Sequence, residues 1–358
     1  MKIALLTDPH WGARNDSLIF INYYEEFYKN IFFPKLKEDG IKTLLMLGDT
    51  FDRRKYINFV TLSHAKRIFF DRLSEEGIST YILAGNHDTA YKNTNEINSI
   101  DLLLKEYENI QVIDVPMTIH LNFENESNDI FMSPWICSDN YHETLELIKR
   151  TDASICCGHF EIEGFSMYRG HTSDEGLSRD LFRKFDYTFS GHYHHKSSSG
   201  SIYYLGNPYE LTWQDYNDDR GFHIFDLDSR NLEFCKNPYT MFHRLSYDDS
   251  ELELDLQQYD FGYLKNRYVK VIVINKTNPY FFDRYMDLIY SSDPSDVKIV
   301  EDFSDSTEGL EEDMINQAED TLTLLNKYID GVESHLDNNK LKNIMRELYL
   351  ESLSNDIL

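Results

Sequence analysis

Five short clusters of imidazole, carboxylate and amide residues punctuate the amino-terminal part of the chain: Asp8-Pro9-His10, Gly48-Asp49, Gly85-Asn86-His87-Asp88, Gly158-His159 and Gly191-His192-Tyr193-His194. Neutral imidazole, carboxylate and one amide oxygen make a mixed nitrogen and oxygen donor set suited to Mn, Fe or Zn, with no thiolate in it. The set is too large for one ion. Two ions about 3.5–4 Å apart that share a single carboxylate would use every donor, and such a pair stabilises both the attacking and the leaving oxygen in phosphoester cleavage. Taken singly, each cluster has an ordinary reading. Gly-Asp is common at turns and helix caps, Asp-x-His recurs by chance, and His87 alone reads as a surface histidine. Gly85-Asn86-His87-Asp88 is the most specific of the five, because plain turns favour Asn-Gly or Asp-Gly order.

The clusters share a position: each begins where a short apolar run ends. Lys2–Leu6 leads into Asp8, residues 44–47 into Asp49, Ser79–Leu83 into Asn86, residues 153–157 into His159, and residues 187–190 into His192. Apolar runs bounded by glycine read as strands buried on both faces, and the region past their carboxyl ends is where open α/β sheets place ligands. Pro9 biases Asp8 toward an extended backbone, so the first strand is expected to carry Asp8 at its end, with Asp8 and His10 pointing the same way. Helices are predicted over 15–39, 61–76, 97–105 and 141–149, the first two stopped by Gly40 and Gly77. Further strands are predicted over 110–115, 130–132, 221–226 and 231–234, with a turn at 122–128. Past Met241 the character changes to a strand at 268–274, a helix at 280–290 and a strand at 297–300, a small α/β module with no donor cluster. An acidic linker then precedes two stretches, 314–332 and 341–353, whose apolar residues fall at helical spacing, as in Leu341, Ile344, Met345 and Leu348. Such helices read as a docking element for a partner, or alternatively as helices folded back on the chain's own body.

Composition limits the function classes. The net charge is -27, whereas a protein that binds nucleic acid unaided needs a basic surface for phosphate contacts. Bound divalent cations or a basic partner would resolve that conflict. Cys137, Cys156, Cys157 and Cys235 have no CxxC spacing and fit packed thiols in a reducing, cytoplasmic compartment. The opening MKIALLTDPHWG reads neither as a signal peptide nor as a membrane span, and no later stretch is apolar enough, so no membrane association is expected.

The motifs DPHWG, GDTFD, GNHD, GHF and GHYHH resemble those of the calcineurin-like metallophosphoesterase superfamily. With a small α/β module and helical tail after them, they resemble the SbcD and meiotic-recombination-eleven nucleases, above all the bacteriophage recombination endonuclease subunits of that group. The resemblance spans essentially the whole chain, strongly to about residue 240 and in layout afterwards. It implies an α/β fold: a metallophosphoesterase β-sandwich flanked by helices over 1–240, a DNA-binding cap domain over 241–300, an acidic linker over 301–313 and a helical partner-binding element over 314–358. By motif match, Asp8, His10, Asp49 and His194 would hold one divalent metal and Asp49, Asn86, His159 and His192 the other, with Asp49 as the bridge. Mn is the first expectation, with Mg, Fe or Zn as alternatives. His87 matches the family's catalytic histidine, placed to give a proton or hydrogen bond to the leaving 3′ oxygen, and Asp88 is expected to orient it. The resemblance further implies 3′ to 5′ exonuclease and single-strand or hairpin endonuclease action on DNA in recombination and break repair. It also implies an SbcC-type coiled-coil ATPase partner on the tail helices, and it leaves open whether a homodimer forms through the nuclease domain. Pro9 and His195 depart from the pattern, and His195 offers a rival to His194. Two other functions use the same residues: a phosphoesterase acting on phosphoproteins or small esters, and a scaffold that keeps the fold without the chemistry.

Overall fold

The computed structural model of the protein describes residues 1–123, 126–168, 171–173, 176–250 and 259–301. They fall in one compact unit, Met1–Phe303; the second, Ser304–Leu358, with nearly all of the predicted linker and both tail helices, lies outside the described residues. In chain order the strands are β1 (Lys2–Leu6), β2 (Thr43–Met46), β3 (Ser79–Leu83), β4 (Ile110–Ile113), β5 (Met117–Phe123), β6 (Glu126–Ser133), β7 (Ile155–His159), β8 (Ser166–Tyr168) and β9 (His171–Thr172). They continue as β10 (Tyr187–Gly191), β11 (Ser197–Ser199), β12 (Ile202–Tyr204), β13 (Gly221–Asp226), β14 (Leu232–Lys236), β15 (Phe242–Asp248), β16 (Tyr268–Asn275) and β17 (Asp296–Glu301).

Two six-stranded sheets carry the chemistry, one ordered β14-β13-β1-β2-β3-β4 and the other β11-β12-β10-β7-β6-β5. β1 to β4 run parallel, as do β6, β7, β10 and β12, so the carboxyl ends of the cluster-bearing strands gather along one edge of each sheet. Alternation along each strand explains the stacking. Ile3, Leu5, Leu45, Leu47 and Leu83 turn inward against Ile130, Met132, Ile155, Cys157 and Phe189 of the second sheet. Ala4, Leu6, Leu44, Met46 and Ile82 turn outward onto helices rich in aromatic side chains. Adjacent Cys156 and Cys157 thus serve opposite faces, and all four cysteines are buried and free.

The first helical segment departs from its prediction in two ways. Arg14, Asn15 and Asp16 adopt left-handed backbone, and the helix proper starts at Leu18. It then widens into a π turn at Tyr28–Phe32 before continuing over Phe33–Glu38. The second helical segment does the same at Lys66–Phe70. A wide turn shifts the helical face, which is how the consecutive Phe27 and Tyr28, Phe32 and Phe33, and Phe69 and Phe70 all become buried.

Several strands were not predicted. Residues around the expected 122–128 turn form the ends of an antiparallel β5–β6 hairpin, and short β11 and β12 extend the second sheet beyond β10. β15 is a third strand of the module after Met241, pairing in parallel with β16. Pro279–Ser291 packs on one face of that three-stranded sheet through Phe282, Tyr285, Met286 and Ile289 against Val269, Val271 and Val273. The module is tied to the main body by Glu210, whose buried carboxylate accepts from the amides of Met241 (2.7 Å) and Phe242 (2.9 Å). Phe20 adds ring contacts to Phe242 and Tyr268. Among the described residues no helix is long and apolar enough to cross a membrane.

Candidate active site and metal centre

The loops that leave β1 and β2 meet through backbone bonds, and those that leave β3, β7 and β10 join them through side chains. Asp8 and His10 donate amides to the carbonyls of Gly48 and Asp49, each at 3.1 Å. The His159 ring fixes its Nδ1 on the Leu47 carbonyl at 2.7 Å, which turns Nε2 into the site. Gly191 must be glycine here, since a Cβ would lie 2.1 Å from Thr7 Oγ1 and 2.6 Å from the Leu47 carbonyl. Asp8, His10, Asp49 and His192 all have positive φ, between 43° and 84°. Four strained donors in one site fit the tendency of backbone strain to collect where function needs a set geometry. The extended Asp8 expected from Pro9 is therefore not what forms. β1 stops at Leu6, and the hydrogen bonds to Gly48 and Asp49 hold Asp8 in left-handed backbone instead.

All seven expected donors converge. Asp8, His10 and His194 form one group and Asp49, His159 and His192 another, each with its donor atoms within 4.8 Å of one another. His10 Nε2 lies 3.0 Å from His194 Nε2. Asn86 Oδ1 sits 2.9 Å from both His159 Nε2 and His192 Nδ1. Asp49 Oδ2 stands between the groups, 3.4 Å from His159 Nε2 and 3.8 Å from His10 Nε2. Donors ~2.1 Å from a common ion at right angles are about 3 Å apart, so these separations fit two adjacent ions. Orientation of the rings supports the same fit. Several imidazoles present one nitrogen inward while the other meets a protein oxygen, as metal-binding histidines do.

Two of those outer partners escaped the sequence. Glu161 Oε1 lies 3.0 Å from His192 Nε2, and Asp52 Oδ1 lies 3.4 Å from His10 Nδ1. Glu161 lies two residues past Gly158-His159 and Asp52 closes GDTFD, but neither position told which ring the carboxylate would meet. His195 bonds Asp218 at 2.7 Å, leaving His194 as the inward ring.

His87 and Asp88 need separating. His87 Nδ1 donates to the Asp52 carbonyl at 2.6 Å, and its ring stands edge-on to His10 with centroids 4.9 Å apart. Its backbone amide donates to Asp49 Oδ1 at 2.7 Å. Asp88 does not orient the imidazole, contrary to expectation. Its carboxylate accepts from the amides of Gly85, Thr50 and Phe51 at 2.9–3.1 Å, locking the two motif loops together. Three buried N–H groups would lose their acceptor without it, which makes Asp88 a holder of the loops.

Charge in the site is balanced by protons when cations are absent. Burial disfavours charge on His10, yet Asp52, Asp49 and Asp8 outweigh it and carry its pKa to about 9. Burial is likewise outweighed at His159, chiefly by Asp49, and its pKa also reaches about 9. Burial and the neighbouring His10 push His194 far down, so its ring is neutral. Burial raises Asp8, with Asp49 adding to it, while the surrounding imidazoles hold Asp49 well below the usual carboxylate range despite burial. The pocket attracts positive charge.

Residues 1–196 match the sequence model of the calcineurin-like phosphoesterase family. This chain belongs to that family. Along its whole length it is also similar to exonuclease subunit 1 of Enterobacteria phage T4, 31% identical over 363 residues that cover 98% of this chain and 99% of that one. The expected kinship with a bacteriophage nuclease subunit is thereby met. Among solved structures, an archaeal phosphodiesterase shares 12% identity over 66% of this chain and all of its own, with a TM-score of 0.33. Purple acid phosphatase PPD1 from yellow lupin (Lupinus luteus) seeds shares 13% over 55% of this chain and 38% of its own, also with a TM-score of 0.33. Superpositions this partial bear on no statement about function.

In this calcineurin-like phosphoesterase, ions entering the site must displace the protons on His10 and His159. Both rings are protonated at neutral pH because their pKa values lie near 9, so affinity for a divalent ion should rise as pH increases toward 9. Calorimetric titration with Mn2+ at pH 6 and 8, in buffers of different ionisation heat, should show tighter binding at pH 8 and net proton release. Asp49→Ala should weaken Mn2+ binding more than His194→Ala, because Asp49 Oδ2 lies between the two donor groups whereas His194 belongs to one. An Asp49→Ala protein that binds Mn2+ as tightly as His194→Ala, or binding without proton release, would contradict this account.

Proposed function

We propose that this chain is a metal-dependent DNA nuclease, a 3′ to 5′ exonuclease with single-strand and hairpin endonuclease action. In this reading it serves as the nuclease subunit of an ATP-dependent complex that processes DNA ends in recombination and double-strand break repair. The observation that carries the reading is end-to-end similarity, at 31% identity, to an exonuclease subunit, joined to a convergent set of donors and to His87 beside them, its Nδ1 held on the Asp52 carbonyl. Asp8, His10, Asp49 and His194 would hold one divalent ion and Asp49, Asn86, His159 and His192 the other, Mn being the ion the resemblance to the SbcD and meiotic-recombination-eleven nucleases implies, within a donor set that suits Mn, Fe or Zn. When bound, the pair supplies charge stabilisation to the attacking and leaving oxygens of an in-line displacement at phosphorus.

The chain's own residues do the rest. Asp49 fixes the spacing of the two donor groups, and Glu161 and Leu47 aim His192 and His159. His87 delivers a proton to the leaving 3′ oxygen from Nε2. Because Nδ1 already donates to a carbonyl, that transfer requires the imidazolium form, which burial disfavours.

Binding of the polyanion to so acidic a chain is supported by the module after Met241. Arg244, Lys270 and Lys298 stand directly opposite one another on three neighbouring strands, and none forms an ion pair among the described residues. Like charges in register destabilise a sheet, and burial together with Lys298 and Arg244 depresses the Lys270 pKa. A phosphate backbone laid across the row relieves that repulsion. Elsewhere Tyr56, Phe59, Val60, Ile97 and Leu102 form an exposed apolar set, Phe59 being 84% exposed, which supports self-association through the first domain. The ATPase partner is assigned to the tail, residues 314–358.

Three measurements test this reading. With Mn2+, the protein should release nucleotides from DNA ends, and His87→Ala should slow that release by about 100-fold or more. The same variant should slow bis(p-nitrophenyl) phosphate far less, because nitrophenolate leaves without a proton. Wild-type hydrolysis of the nitrophenyl ester with DNA left intact would favour the small-ester reading and defeat the nuclease one. Second, Arg244→Gln with Lys298→Gln should flatten the log–log salt dependence of DNA binding by roughly one to two units, given a slope of about -0.9 per neutralised phosphate. An unchanged slope removes the row from the DNA path. Third, the chain without residues 314–358 should remain a dimer on sizing yet fail to capture a coiled-coil ATPase partner; capture by the shortened chain, or a monomeric core, would refute the respective assignment.

A further inference from the structure

The two flanks of the metal centre differ in chemistry. On the His87 side, a hollow of about 400 Å³ is lined by Arg14, Arg53, Asp52 and Tyr268, polar and guanidinium-rich. On the His159 side lies a smaller cavity of about 240 Å³ bounded by Trp135, Ile136, Tyr141, Glu161 and Leu177. The guanidinium groups of the first suit backbone phosphates, and the nuclease reading leaves the second without a role.

We propose that the cavity beside His159 binds a single unstacked nucleobase, the terminal base of the strand being cut; this rests on the nuclease reading. Trp135 forms the wall shared with the metal centre, its ring 5.3 Å from that of His192 and 6.2 Å from that of His159. A base against Trp135 is therefore one nucleotide's reach from the reacting phosphorus. The wall is built in advance of any ligand. The Trp135 amide donates to the Ala84 carbonyl at 2.8 Å, and its carbonyl accepts from Asn95 at 2.8 Å and Asn140 at 3.0 Å. The opposite side is equally fixed, since the Leu177 amide donates to the Glu161 carbonyl at 2.7 Å. Trp135 Nε1 is itself buried, so the indole offers the cavity its ring surface rather than its N–H. The volume admits one flat heteroaromatic ring system and excludes a base pair, so the terminal nucleotide must leave its stack to enter. Stacking on an indole tolerates every base, which suits an enzyme that removes nucleotides in succession.

This placement also sets strand polarity. His87 and the guanidinium hollow receive the departing 3′ oxygen and the strand behind it, while the released nucleotide occupies the Trp135 side.

The test compares oligonucleotides identical except for the 3′ end, one with an ordinary terminal nucleotide and one with an abasic tetrahydrofuran residue, using the full chain with Mn2+. Wild-type kcat/KM should fall at least tenfold on the abasic end, Leu177→Trp should erase most of that preference by filling the cavity, and Trp135→Phe should retain more of it than Trp135→Ala. A readout free of turnover comes from a 3′-terminal 5-iodouracil strand irradiated without divalent metal, which should crosslink to the peptides carrying Trp135 or Tyr141. Equal rates on both ends, or crosslinks only elsewhere, overturn the base site while leaving the nuclease reading intact. Failure to cut either strand, with nitrophenyl ester still hydrolysed, overturns both.

Discussion

The Asp49 carboxylate is the constraint on which the remaining geometry depends. One of its oxygens accepts the His87 amide at 2.7 Å, and the other stands between His10 and His159. A single side chain thereby fixes the GNHD loop and sets the spacing of two donor groups, each of which draws on both sheets. It can do so only because Gly85 lets the chains close in: a Cβ there would lie 2.2 Å from the Asp49 amide. Asp88 secures the same contact from behind by accepting three amides from the two loops.

The sheets supply rigidity for this close approach. Ile3, Leu5, Leu45 and Leu47 on one side and Ile155, Cys157 and Phe189 on the other bury the space between them. Burial of this kind is non-directional and tolerant of small changes, whereas the loop edge is not. Strain in the four positive-φ donors is therefore held in place by a core that does not take part in the chemistry.

The cluster-bearing strands were legible because each is a short, largely buried run that ends at a donor motif, four of the five closing on glycine. β5, β11, β12 and β15 were not, for physical reasons. Ser197–Ser199 has no apolar character, and its pairing comes from adjacency to Ile202–Tyr204. Phe242–Asp248 mixes charge and apolar residues because one face packs on a helix and the other carries Arg244. At the site, donor identities could be read from residue type and spacing, but backbone conformation at Asp8 could not, since tertiary hydrogen bonds decide it. Glu161 and Asp52 were hidden for a related reason: a carboxylate that orients a ring is recognised by direction, which a linear sequence does not record. The same holds for Asp88, whose partners are backbone amides of three separate residues.

His10 and His194 meet at 3.0 Å although 184 positions separate them. During synthesis, then, a growing chain carries Asp8, His10 and Asp49 long before their counterparts exist, and the donor cluster cannot close until His194 has emerged and the second sheet has formed its edge. An incompletely made copy of this protein holds those side chains apart, so truncation before that point leaves the cluster unassembled.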